Sequence, residues 1–151
     1  MKKVALIVAL ATAAIMVVQP GWAARKAAKR ACTPASAMEA EVALQYMTDL
    51  MVVSSVCQDT VYAEFRLRNK DAIIGYQKAL IRHFHGNAGF DRWNTALANQ
   101  AAQKQMGNMD GHVCVQSAPL LQQAKALDPK GFRAYAAAQA AAVLRSQKCG
   151  K

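Results

Sequence analysis

The 151-residue chain has no H-E-x-x-H, no G-x-S-x-G and no phosphate-cradling glycine loop. The usual sequence signatures of zinc hydrolysis, α/β-hydrolase chemistry and nucleotide binding are therefore missing. It also has no C-x-x-C pair, the motif of thiol oxidoreductases and zinc knuckles. Acids are scarce and scattered: nine Asp and Glu face nineteen Lys and Arg. A carboxylate pair for acid–base work, such as Asp49 with Asp91, would have to be assembled by the fold. No enzyme activity and no cofactor are expected on these grounds. Strand-like alternation, internal repeats and a domain linker are lacking too.

Long apolar runs are limited to one, at 4–18, behind Met1-Lys2-Lys3. Pro20-Gly21 follows it, and Gly21 and Ala23 place small residues three and one positions before a cut after Ala23. This is the layout of a secretory signal peptide over 1–23. As a helix the run would span roughly 22 Å, short of the ~30 Å hydrocarbon core. The expected mature chain is therefore not transmembrane and lies in the periplasm or is secreted. It opens with a basic arm, 24–33, carrying Arg25, Lys26, Lys29 and Arg30. Export argues against nucleic acid as the partner of this charge. An envelope protein or an anionic surface fits better.

The rest, 34–149, reads as one all-α domain, a compact bundle of four to five helices stapled by two disulfides. Thr33-Pro34 opens the first helix, whose stripe runs Ala43, Met47, Leu50, Ser54, Cys57, Val61 and Phe65. Asn69 is the expected cap of a second helix with Asp71 in its first turn. Its apolar face is Ile73, Leu80 and Phe84, flanked by Ile74, Tyr76 and Ile81. Gly86 to Gly89 should end that helix. A third should begin near Asp91, bury Trp93, Leu97 and Ala101, and place Asn99 as a buried hydrogen-bonder between helices. A fourth segment covers about 110–127 with a break at Ser117-Pro119. Asp128-Pro129 caps a last helix to about Cys149, with Phe132, Tyr135, Gln139, Ala142 and Ser146 inward.

The stretch "MGNMDGHVC" (106–114) collects soft ligands. Met106, Met109 and His112 suit Cu(I) on paper. Two methionines three apart at a helix end are more simply core packing. His83 and His85 lie two apart on a helix, so one metal cannot readily take both. A site from His85, Asp91 and His112 requires converging loops.

Four cysteines in an exported chain argue for two disulfides. If 34–57 is one helix, Cys32 and Cys57 lie about 36 Å apart, far beyond disulfide reach. Two sets remain: Cys57–Cys114 with Cys32–Cys149, or Cys32–Cys114 with Cys57–Cys149.

Five segments in order, "LMVVSSVC" (50–57), "YAEFRLRNKDAI" (62–73), "ALIRHFHGNAG" (79–89), "TALANQAA" (95–102) and "NMDGHVC" (108–114), give a resemblance over about 50–114. The chain resembles a family of small exported helical proteins of alphaproteobacteria. The resemblance implies an all-helical fold and a Cys57–Cys114 pair, but no substrate, cofactor or active site. Cys57 on the buried stripe and Cys114 at the start of the fourth segment favour the same inner bridge, with Cys32–Cys149 clipping the ends. The expected role is an exported helical binding or adaptor protein without catalysis. The rival expectations are a periplasmic metal-handling protein and a small cell-envelope enzyme.

Overall fold

The computed structural model describes residues 32–106 and 112–147. The expected signal peptide (1–23), residues 24–31 of the expected basic arm and Cys149 lie outside them. Among the described residues there are no strands and seven helices in place of the expected four to five. They are α1 (Ala35–Cys57), α2 (Val61–Arg68), α3 (Lys70–His83), α4 (Asn87–Met106), α5 (Val113–Gln116), α6 (Ala118–Ala126) and α7 (Pro129–Ser146).

Helix α1 is the hub. Ala37, Ala40, Ala43, Leu44, Tyr46, Leu50 and Val53 are buried around its circumference, and every other helix packs on it. A helix with buried residues over most of its circumference belongs at the centre of a bundle. Its alanines let neighbours approach closely, and its buried Thr48 hydroxyl donates to the Leu44 carbonyl at 2.8 Å.

The stripe drawn through Val61 and Phe65 does not continue α1. Gln58 turns into the left-handed region at φ 53°, and a polar knot holds the break. The Ser54 hydroxyl donates to Asp59 Oδ1 at 2.6 Å and accepts from the Tyr62 amide at 3.0 Å. The Val61 amide donates to the same Asp59 oxygen at 2.9 Å. The knot satisfies the first amides of α2, which would otherwise be unpaired. Phe65 is buried as expected, but from a separate helix.

Asn69 stands where a cap was expected but makes no capping bond to α3. Its side chain is fully buried and donates to the carbonyls of Phe65 at 3.0 Å and Leu127 at 3.3 Å. Arg68 beside it donates to Leu127 and Ala124 carbonyls at 3.1 and 2.7 Å. The pair collects the free carbonyls at the end of α6, where a cation is favoured by the helix dipole. The α2–α3 corner is thus tied to the α6–α7 junction.

The third long helix, α4, starts at Asn87 rather than near Asp91. The reversal is completed earlier, by His85 at φ 59° and Gly86 at φ 127°. Gly89 is already helical, and a Cβ there would collide with the Phe84 carbonyl. Trp93, Leu97 and Ala101 face inward as predicted, while Asn99 is exposed and bridges no helices. The segment at 110–127 is two helices: α6 takes Pro119 in its first turn. Asp128 caps α7 as expected, its Oδ1 accepting from the Gly131 amide at 2.7 Å. The inward face of α7 is Phe132, Ala136 and Ala140; Gln139, Ala142 and Ser146 are exposed and Tyr135 only partly buried.

The centre is aromatic. Phe132 is fully buried with its ring centroid 4.9 Å from Phe65, 5.8 Å from Tyr76 and 6.1 Å from Tyr46. Cys57 and Cys114 form a disulfide with Cα atoms 5.6 Å apart. It is the one complete bridge among the described residues, where two were expected; Cys32 is also disulfide-bonded. No helix among the described residues is long and apolar enough to cross a membrane.

Candidate functional site

Among the described residues, the predicted His, Cys and Asp side chains are not gathered into a metal centre. Arg25, Lys26, Lys29, Arg30 and Met109 lie outside the described residues, and Met106 is the last residue of α4. His112 is exposed just before α5, and Cys114 is consumed by its bond to Cys57. No group of three His, Cys, Asp or Glu side chains is placed to hold a metal among the described residues, so His85, Asp91 and His112 do not converge. Asp49 sits 3.6 Å from Lys104 in a polar recess between α1 and α4, not paired with Asp91. His83 Nε2 lies 4.0 Å from Glu41 Oε1. Burial pushes the Glu41 carboxyl above the usual glutamate range, and His83 offsets part of that rise. The Tyr76 hydroxyl donates to Glu39 at 2.8 Å. Burial, and then that bond, push the Tyr76 pKa well up. The Glu41–His83 and Glu39–Tyr76 pairs join α1 to α3.

A groove of about 740 Å³ opens where α1, α2 and α3 meet. Met47 of α1 is part of its wall. Tyr62, Ala63 and Leu67 of α2 line one side, with Ile73, Ile74 and Gln77 of α3 on the other. Two of these side chains stand out from a folded surface: Leu67 is 78% exposed and Ile74 37%. Arg66 and Lys70 form a cationic lip. Neither makes an ion pair among the described residues. Of the nearby acids, Glu64 accepts from Thr60 at 2.6 Å, and Asp71 is exposed and not part of the lining.

The groove follows from local sequence. Val61 and Phe65 bury one face of α2, so Ala63 and Leu67 fall on another. The buried Asn69 ends α2 after Arg68 and α3 restarts at Lys70, which lets faces of two short helices meet at a corner. The lining contains no carboxylate, histidine or cysteine; its polar side chains are Tyr62, Arg66, Lys70 and Gln77. Reading 62–73 for its core stripe passes over Arg66, Leu67 and Lys70. Their one signal is a leucine off the stripe between two basic residues. The chain matches no protein-family model, no curated protein and no solved structure.

Proposed function

We propose that this chain is an exported, non-catalytic binding protein of the cell envelope that takes its ligand in the α1–α2–α3 groove. The carrying observation is the pairing of exposed Leu67 and Ile74 with the unpaired cations Arg66 and Lys70 around one apolar recess. Small-molecule sites fall in the same size range, roughly 300–1,000 Å³, and combine apolar walls with a few polar groups. Export is supported by the Cys57–Cys114 bridge, since disulfides persist in oxidising compartments. In this reading residues 1–23 are removed, Cys32 takes Cys149, and the resemblance to exported alphaproteobacterial helical proteins reflects common descent. The arm with Arg25, Lys26, Lys29 and Arg30 adds a salt-sensitive contact to anionic surfaces.

A photo-crosslinking residue at Leu67, and another at exposed Lys130 on α7 as control, tests the reading in intact cells. An adduct confined to position 67 is expected, on a chain whose N-terminus is Ala24. Equal labelling at both positions, or none at 67, refutes the groove as the binding element.

A further inference from the structure

We infer that the groove ligand is a free single-chain anionic amphiphile, an acidic head on one apolar tail; this rests on the groove being the binding element. Three observations converge on it.

The first is charge. A recess lined by one sign of charge over low-dielectric walls concentrates ions of the opposite sign. Arg66 and Lys70 supply two positive charges, and no lining residue supplies a negative one. Arg66 offers a guanidinium fork that suits a carboxylate in a bidentate geometry. Because neither cation is neutralised within the fold, an incoming anion displaces only water.

The second is the division of the lining. The cations occupy the lip, while Met47, Leu67, Ile73 and Ile74 supply the apolar wall. A purely ionic ligand such as inorganic phosphate leaves that wall wet. A neutral apolar ligand leaves the cations unused. A molecule with both parts satisfies the two at once.

The third is size, which separates a small amphiphile from a macromolecule. Nine residues line the groove, whereas a stable protein–protein interface takes about 20–30 residues a side. Two basic segments of this chain are poor occupants as well: 25–30 carries Arg25, Lys26, Lys29 and Arg30, and 148–151 carries Lys148 and Lys151. Both are repelled by the lip. A second copy would set two cationic lips against one another.

The test is titration of the full mature protein with saturated fatty acids, octanoate to tetradecanoate, below their micellar concentrations. Amide chemical shifts locate the site. Decanoate should move resonances of Met47, Tyr62, Leu67 and Ile74, and affinity should rise about two- to fourfold per added methylene. Decanol should bind at least about tenfold more weakly, since it lacks the charge that Arg66 and Lys70 recognise. Arg66→Glu with Lys70→Glu, and separately Leu67→Asp, should each weaken decanoate about tenfold or more; all three side chains are exposed, so the fold is unaffected. Leu67→Met should retain binding. Phosphatidylglycerol vesicles distinguish free amphiphile from membrane surface. Deleting residues 24–31 should abolish vesicle binding and leave decanoate binding intact. Equal affinity for decanoate and decanol, or wild-type affinity in the charge-reversed variant, overturns the inference. If decanoate fails to bind while Leu67 still crosslinks in cells, the amphiphile is wrong and the groove stands. Shifts mapping away from the groove sink both.

Discussion

Truncating Phe132 to alanine is the most direct probe of what holds the bundle together. The side chain is fully buried, and it is the one large residue that α7 inserts between the rings of α1, α2 and α3. Its ring meets Phe65 edge-on at 4.9 Å and Tyr76 edge-on at 5.8 Å. Removing a buried phenyl group forfeits its transfer free energy and leaves a cavity, together about 3–5 kcal/mol. That is a large share of the ~5–15 kcal/mol typical of a domain. For a chain of this length each kcal/mol shifts the melting temperature by roughly 2–4 °C, so a fall of at least about 6 °C is expected. The Phe65 contact can be isolated by a double-mutant cycle with Phe65→Ala. Edge-to-face pairs carry about 0.5–1.5 kcal/mol beyond burial, and contacting residues are non-additive to that extent. Urea unfolding followed by far-ultraviolet circular dichroism, with the disulfides kept oxidised, gives all four free energies. A Phe132→Ala loss under about 1.5 kcal/mol, or additivity within about 0.3 kcal/mol, would refute the α7–α2 contact as the keystone of the core.

Two further perturbations probe other parts of the fold. Replacing Cys57 and Cys114 by alanine opens a bridge of sequence separation 57, for which chain entropy gives about 4 kcal/mol; only Val113 of α5 is buried, so amide exchange should show α5 freed first, and protection of α5 unchanged from wild type would contradict this. Burial holds the Glu41 pKa up, so folding favours its neutral form, and that stabilisation is complete below the unfolded value of about 4.3 and lost as pH rises through the folded one. Glu41→Gln should therefore raise the melting temperature at pH 7 and leave it nearly unchanged near pH 4; a lower melting temperature at pH 7 would show that the His83 pairing outweighs desolvation.

The parts of the fold that were legible in the sequence are those decided within a few residues. Asp128-Pro129 caps and opens α7 because an acceptor side chain and a fixed φ act locally. Leu97 and Ala101 are buried because α4 has an ordinary apolar stripe. The break after Cys57 was hidden. Gln58 is no turn signature, and the knot of Ser54, Asp59 and Tyr62 exists only once the chain has turned. The inward face of α7 past Phe132 is hidden for a different reason. Alanine dominates both candidate faces, so the pattern has little contrast. Tertiary packing settles it: Ala136 and Ala140 continue from Phe132 by steps of four against the hub.

The groove was illegible because its geometry is set from a distance. Its lip residues, Arg66 and Lys70, flank a corner made by Asn69. The buried Asn69 amide nitrogen donates to the Phe65 carbonyl and also to the Leu127 carbonyl, 58 residues later in the chain. Burying an amide costs free energy unless it is bonded; Asn69 Oδ1 has no partner, so the two bonds from Nδ2 offset only part of that cost. Arg68 reinforces the placement by binding the same carbonyl. One carbonyl thereby fixes both the docking of α6 and the angle at which α2 and α3 present their free faces. The side chains on which the proposed site rests, Leu67, Arg66 and Lys70, take no part in this support and are exposed. Shape and chemistry are carried by separate residues: Asn69 and Arg68 set the recess, and its selectivity can change at the lip without disturbing the bundle beneath.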